Sequence, residues 1–449
     1  MNLTPLAIVA LVAAALLGVA GTWSDSVGEF PWWRLVVVLL IAGLTYEFAA
    51  IRGRGISAAW RSAGRLFLGR VETLELELGN LSSRALTLRT LPLLPDGVVE
   101  ADETAAGASA GDPAEPPPIE ARELRLPARG AARTQVAVRA IELGAHEWPP
   151  LPVRVLGPLG LAWWSRKIGT DARSTVLPDT LGRRATITGS AEAGSAPQSR
   201  LGGGHELHQL REYRSGDPRH TIDWKATART SRLITRVFSE DQHLEIMILL
   251  DAGRTSRTEF DGMSQLGHYV NLAARFAEYC GSGDDRVGLV VYADRPLRVV
   301  PPGRGHSGVL AIRHALAGLE PHPIESDALE AALRVRRLVR HRCLTIVLTD
   351  LYESSSTGRL AQSARLLAPK HLPMMIGLLG DEVATLADGE AREWLDPYRS
   401  LAARAYARQV RANIARLGAL GALAMTARPE ELDRKVLGQY RLLRAQHRV

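Results

Sequence analysis

Two aspartates stand where an α/β sheet collects its ligands. The run LEIMILLDAGRTS places Asp251 at the carboxyl edge of one expected strand, and LTIVLTDLYES places Asp350 at the end of another. Two carboxylates on one rim supply hard oxygen donors of the kind that suit Mg²⁺, or they only cap the helices that follow. Other residues of reactive type do not assemble. His205 and His208 in HELH lack the His-Glu-x-x-His spacing that puts two imidazoles on one helix face. Gly202-Gly203-Gly204 is not followed by the Gly-Lys-Ser/Thr of a phosphate loop. Cys280, at a helix end, reads as core, and Cys343 opens an expected strand near His341, where neighbours point to opposite faces and make a poor nucleophile and base. Two cysteines are too few for a disulfide framework or a four-thiolate zinc site. No Gly-x-Ser-x-Gly nucleophile elbow occurs. These residues predict no catalytic set, and the expectation is a protein that is not an enzyme.

Ahead of the first of those strands runs GGGHELHQLREYRSGDPRHTIDWKATARTSRLITRVF, from Gly202 to Phe238. Ser215-Gly216-Asp217-Pro218 reads as a turn, with Asp217 as helix N-cap, Pro218 in the first helical position and a helix to about Arg229. Arg211, Arg219 and Arg229 face Glu212, Asp217 and Asp223 as an expected ion-pair network, and Trp224 is expected to anchor the element by burial. On that footing Trp224→Ala costs roughly 3–5 kcal/mol. The segment closely resembles the signature of the domain of unknown function 58 family at Glu206, Leu210, Arg211, Tyr213, Gly216, Asp217, Arg219, Ile222, Asp223, Trp224, Ala228 and Arg229. That resemblance implies an apolar amino-terminal helix pair, a β-rich region, the signature and a von Willebrand factor A-like domain. It also implies association with a MoxR-type AAA+ ATPase.

The sheet itself resembles a von Willebrand factor A-type domain, whose metal-ion-dependent adhesion site has an Asp-x-Ser-x-Ser loop, then a Thr, then an Asp. The resemblance puts Asp251 in the first position, Gly253 and Thr255 in place of the two serines, Ser326 near the Thr, and Asp350 last. Gly253 leaves this set one hydroxyl short, so Mg²⁺ is expected to bind weakly or not at all, and Gly253→Ser is expected to strengthen it.

The elements that must position these residues follow from periodicity. Leu244–Leu250, Arg286–Tyr292, Leu344–Thr349 and Pro373–Leu379 are continuous apolar runs of strand length, as strands buried on both faces should be. Amphipathic stretches at Met263–Tyr279, Asp327–Val339, Tyr398–Leu417 and Glu430–Ala445 alternate with them, which predicts a doubly wound α/β domain over 205–449. Upstream, Val71–Leu78, Ala85–Leu91, Arg122–Ala128 and Thr134–Ile141 alternate with period two, which predicts a β-sandwich-like domain over 60–182. Residues 101–118 read as a loop inside it, and 183–204 as a Gly/Ser/Ala-rich linker.

The first fifty residues differ in kind. Leu3–Ala20 carries no charged side chain, and Trp32–Phe48 carries only Arg34 and Glu47, each near one end. Each segment approaches the roughly 20 residues a spanning helix needs. Arg52, Arg54, Arg61, Arg65 and Arg70 follow, so the positive-inside rule predicts a transmembrane hairpin over 1–50. Its termini and the large C-terminal part would lie in the cytoplasm at the inner (plasma) membrane. The chain has 449 residues, a charge of +7 and 46% apolar residues, while aromatics make up only 5%. Arginines without interleaved aromatics do not form a nucleic-acid groove, and none is expected. The leading expectation is a membrane-anchored scaffold or adaptor that recruits a protein partner. A metal-dependent membrane-bound hydrolase and an envelope-integrity protein with a structural α/β domain are the alternatives.

Overall fold

The computed structural model describes residues 2–23, 32–52, 55–101, 122–180, 199–202, 206–241, 244–283, 285–352, 358–389 and 394–446. Most of the expected 101–118 loop and most of the 183–204 linker lie outside them. The chain forms two units, one of residues 1–177 with 261–263, the other of 178–260 with 264–449.

The first unit begins with two apolar helices, α1 (Pro5–Trp23) and α2 (Trp32–Arg52). Trp33–Arg52 is long and apolar enough to cross a membrane. Two sheets follow. A five-stranded one includes Leu86–Thr90, Arg122–Leu126, β1 (Leu151–Leu156) and β2 (Ala162–Ile168), and a four-stranded one includes Val71–Asn80 and Ala131–Ala140. Alternate residues of both, such as Leu74, Leu76, Leu78, Val136, Val153 and Val155, meet in one core. The period-two pattern was therefore the imprint of strands with one buried face.

The second unit opens with a small antiparallel sheet in which Ser199–Gly202 and β3 (Glu206–Glu212) flank β4 (Ile234–Asp241). Ser199–Gly202 is thus strand, where composition suggested linker. Between β3 and β4 lies the short helix α3 (Trp224–Thr230). The main sheet then uses β5 (Glu245–Asp251), β6 (Arg286–Tyr292), β7 (Pro296–Arg304), β8 (Leu344–Leu348), β9 (Leu372–Leu378) and β10 (Leu423–Ala427), in the order β7-β6-β5-β8-β9-β10. All neighbours are parallel except β6 and β7. Two of these strands, β7 and β10, escaped the periodicity reading. Both lie at sheet edges, where β7 tolerates Pro296, Pro301 and Pro302.

Helices α4 (Gln265–Ser282), α5 (Gly305–Leu316), α6 (Ala328–Leu338), α7 (Arg359–Leu367), α8 (Asp396–Ala419) and α9 (Leu432–Ala445) connect and cover the strands. Met247, Leu249, Val347 and Met375 pack with α6, α7 and α8. The alternate residues Ile246, Ile248 and Leu250 must face the other side, where α4 and α9 meet through Phe276 and Tyr440, edge to face at 5.3 Å. A sheet covered on both faces explains its unbroken apolar runs.

Candidate functional site

The chain order runs from β5 outward through β6 and β7, then returns to the other side of β5 for β8, β9 and β10. The strand order reverses between β5 and β8, and a crevice opens beyond the carboxyl ends of strands at such a point. Asp251 ends β5, and Asp350 follows β8 by two residues. A cleft of about 520 Å³ lies there, lined by Asp251, Arg254, Thr255, Asp294, Glu325, Ser326, Asp327, Ala328, Thr349, Asp350, Tyr352, Arg359 and Leu360. The four rim residues expected from sequence, Asp251, Thr255, Ser326 and Asp350, are therefore brought together.

Asp251 is only 2% exposed. Its Oδ1 accepts the Gly253 N–H at 2.9 Å and the Ser326 hydroxyl, and its Oδ2 accepts the Thr349 hydroxyl at 2.6 Å. Burial pushes this carboxyl above its ordinary range, and the hydrogen bonds from Ser326, Thr349 and Gly253 oppose the shift. Asp350 is raised too, first by burial and then by the neighbouring Asp251 charge, against hydrogen bonds from the Tyr352 N–H and the Tyr406 hydroxyl. Tyr352 and Tyr406 stack with ring centroids 4.8 Å apart. Asp327 caps α6 by accepting the Leu329 N–H at 3.0 Å, and its Oδ2 holds Arg359 at 2.9 Å. Five carboxylates against two guanidiniums, one of them already paired, leave the cleft acidic.

These donors fit a tightly held divalent ion poorly. Three protein donors already engage the Asp251 oxygens, Asp350 Oδ1 accepts the Tyr352 N–H at 2.8 Å, and Gly253 contributes no hydroxyl. Among the described residues no three His, Cys, Asp or Glu side chains form a metal-binding group. A Cβ at position 253 would lie 2.0 Å from Ser326 Oγ and 2.8 Å from the Ile324 carbonyl oxygen. The Ser326 hydroxyl fills the space that a serine at 253 would need. That geometry reverses the expectation for this position: Gly253→Ser should lower the melting temperature and give no gain in Mg²⁺ affinity by calorimetry. Tighter Mg²⁺ binding in the variant would show that the 253–255 loop can open.

One thiol meets an imidazole elsewhere in the unit. Cys343 Sγ lies 3.1 Å from His371 Nδ1, and both side chains are buried. Burial raises the thiol to about 11 and lowers the imidazole to about 4. At neutral pH both are therefore uncharged, the reverse of an activated thiolate.

The signature folds differently from its expected plan. Asp223, not Asp217, caps the helix, accepting the Lys225 and Ala226 N–H groups at 3.0 Å each. Pro218 precedes a single 3₁₀ turn, Arg219–Thr221, because Ile222 then bridges to Thr235 and the Asp223 N–H bonds the Ile234 carbonyl. Those strand-like contacts forbid a continuous helix from Pro218. Asp217 instead closes the preceding turn: it accepts Arg211 at 2.7 Å and the Arg214 N–H at 2.9 Å, while the Tyr213 hydroxyl donates to its carbonyl. Gly216 sits there at φ +109°, which L side chains rarely adopt. The Arg211 hydrogen bond holds the Asp217 carboxyl below its usual range, and Arg236 does the same for Asp223. Of the expected ion pairs only Arg211–Asp217 forms as drawn. Arg232 takes Glu212 at 2.6 Å and Arg236 takes Asp223 at 2.9 Å, while Arg219 and Arg229 are exposed.

Trp224 is 68% exposed, so it does not anchor the element by burial. Trp224→Ala should therefore change stability by no more than about 0.5 kcal/mol. Asp223→Ala, which removes the cap and an Arg236 partner, should lower the melting temperature clearly. A large loss for Trp224→Ala would mean that the ring is covered.

Sequence reasoning missed Thr349, Asp294, Glu325, Tyr352, Arg254 and Arg359. Asp327 was legible as a cap, being an aspartate just before an amphipathic run. The others carry no local signal.

Residues 209–418 match the family described as "Protein of unknown function DUF58". The chain is 26% identical over 189 residues to "Uncharacterized protein Rv1480" of Mycobacterium tuberculosis and, equally, to "Uncharacterized protein Mb1516" of Mycobacterium bovis, covering 42% of this chain and 59% of each relative. The chain thus spans about three-fifths of the length of these curated relatives. The conserved hypothetical protein BatB from Bacteroides thetaiotaomicron is 16% identical, over 44% of this chain and 96% of that one, with a TM-score of 0.31, too distant to carry the fold. The match runs from within β3 into the last turn of α8 and takes in most of the signature and the acidic cleft, and the relatives it is similar to are uncharacterized.

Proposed function

We propose that this protein is a membrane-anchored scaffold or adaptor, not an enzyme, which recruits a protein partner through the rim at Asp251 and Asp350. The observation that carries this reading is the acidic cleft at the reversal of strand order. Asp251, Asp327 and Asp350 are held in place by internal hydrogen bonds, and the cleft fits a basic side chain of a partner better than a tightly bound cation. The domain reads as von Willebrand factor A-like, with Mg²⁺ weak or absent at Asp251, Thr255, Ser326 and Asp350. Resemblance to the DUF58 family points to a MoxR-type AAA+ ATPase as the partner. The anchor is a helical hairpin, α1 with α2, both termini cytoplasmic. In support, Asn2–Leu3 pairs with β2 and Glu47 of α2 bonds to the residues beside it, so both ends of the hairpin meet the same sheet.

Capture from solubilised membranes tests the recruitment. Tagged full-length protein should retain the ATPase, and Asp350→Asn should lose most of it while remaining folded. Equal capture by the variant would move the contact to the Trp224 helix. A cysteine placed at Ser26 should label from outside intact cells, and labelling of the large domain from outside would overturn the topology.

A further inference from the structure

Glu47 is a carboxylate inside an apolar helix, and such residues are functional by default. It is fully buried by protein. Its Oε1 accepts the N–H groups of Leu159 and Leu161 at 3.0 Å each, and its Oε2 accepts the Ala162 N–H at 3.1 Å and the Trp164 indole at 3.2 Å. All four donors belong to or flank the turn Gly157-Pro158-Leu159-Gly160-Leu161 between β1 and β2. Gly157 N–H bonds the Ala162 carbonyl at 3.0 Å, Gly160 N–H bonds the Gly157 carbonyl at 2.9 Å, and Pro158 has no N–H. The Thr4 hydroxyl donates to the carbonyls of Gly160 and Leu161 at 2.6 and 3.0 Å. Every N–H of this turn is therefore satisfied without water. Its glycines are required: a Cβ at 157 would fall 2.0 Å from the Glu47 carboxyl carbon, and Gly160 has φ +73°.

A turn in water does not need this provision, since water bonds its amides. In hydrocarbon each unsatisfied amide costs several kcal/mol. The turn's side chains match the second setting. A Cβ on Gly43 would lie 2.7 Å from Leu161 Cδ1 and 3.5 Å from Leu159 Cδ1. The two leucines therefore lie against α2 one helical turn deeper than Glu47, about 6 Å along its axis. Leu159 is nonetheless 52% exposed. Trp164 packs on Phe48 at 5.4 Å, Arg89 covers Trp163 at 4.5 Å, and Arg166 bonds the Ile51 carbonyl at 3.2 Å, an order of aromatic then basic residues that suits a bilayer boundary.

We propose that the Gly157–Leu161 turn inserts Leu159 and Leu161 into the acyl boundary of the bilayer, with Glu47 supplying the acceptors that water cannot, so that the β-rich unit is itself a lipid-binding module. This rests on reading α2 as a membrane span, and the test separates the two. A spin label is placed at Leu159→Cys, Lys167→Cys or Leu39→Cys in the full chain, reconstituted in phosphatidylethanolamine/phosphatidylglycerol vesicles. Native Cys280 and Cys343 are buried and stay unlabelled. The oxygen-to-nickel accessibility ratio at 159 should approach that at 39 and exceed that at 167, five residues along β2 from Ala162, several-fold. A ratio at 159 equal to that at 167, with 39 still lipid-exposed, overturns the insertion and leaves the anchor standing. Water-like ratios at 159 and 39 overturn both.

Discussion

Replacing Asp251 by Asn should abolish partner capture while making the α/β domain more stable at neutral pH. The carboxylate is buried, and burial raises its pKa. Protonation of a raised carboxyl favours the folded state, so its contribution is complete below the ordinary aspartate range near about 4 and is lost as pH rises through the folded value. At neutral pH the wild-type chain carries a buried negative charge that asparagine does not. The amide can still accept the Gly253 N–H and the Ser326 hydroxyl on its oxygen, and its nitrogen can donate to Thr349 once that hydroxyl turns. Melting curves from pH 4 to 8 should therefore converge at the acid end and separate toward neutrality in favour of the variant. A site kept at a cost in stability is the pattern expected where a residue serves binding. If Asp251→Asn melts lower at pH 7, the carboxylate is structural and the rim is not the recruiting surface.

The largest loss of stability should come from a carboxylate remote from the cleft. Asp285 is fully buried just before β6, where Oδ1 accepts the Leu244 N–H at 3.0 Å, and Oδ2 accepts the Tyr440 hydroxyl and Arg444 at 3.2 Å. It joins the entry to β5 to the last helix, α9. Asp285→Ala strands the Leu244 N–H and the Tyr440 hydroxyl and takes the carboxylate from Arg444, which keeps the Tyr440 oxygen at 3.0 Å. The substitution should cost about 3–5 kcal/mol in urea denaturation of residues 178–449. Against a typical domain stability of about 5–15 kcal/mol, that brings the domain near the edge of folding. A cost under about 1 kcal/mol would mean that water reaches these groups in the folded state.

What the sequence determined by itself is local. The apolar runs at 246–250 and 344–348 announced strands buried on both faces, and Val71–Leu78 announced strands with one buried face, because side-chain period follows directly from backbone geometry. Strand ends are then fixed, and with them Asp251 and Asp350. Tertiary structure decided the rest. Whether Asp217 or Asp223 would cap a helix depended on β4 arriving to pair with Ile222, and the same contact left Trp224 facing outward. Ser326, 75 residues from Asp251, fills the space beside Gly253, and Thr349, 98 residues away, takes the other carboxylate oxygen. Glu47 reads in sequence as a blemish near the end of an apolar helix, yet its partners begin 112 residues later in a turn with no charge of its own. A hydrogen bond needs its donor within about 3.2 Å, and distances that short between distant residues are set by the packing of whole elements, which no window of sequence contains.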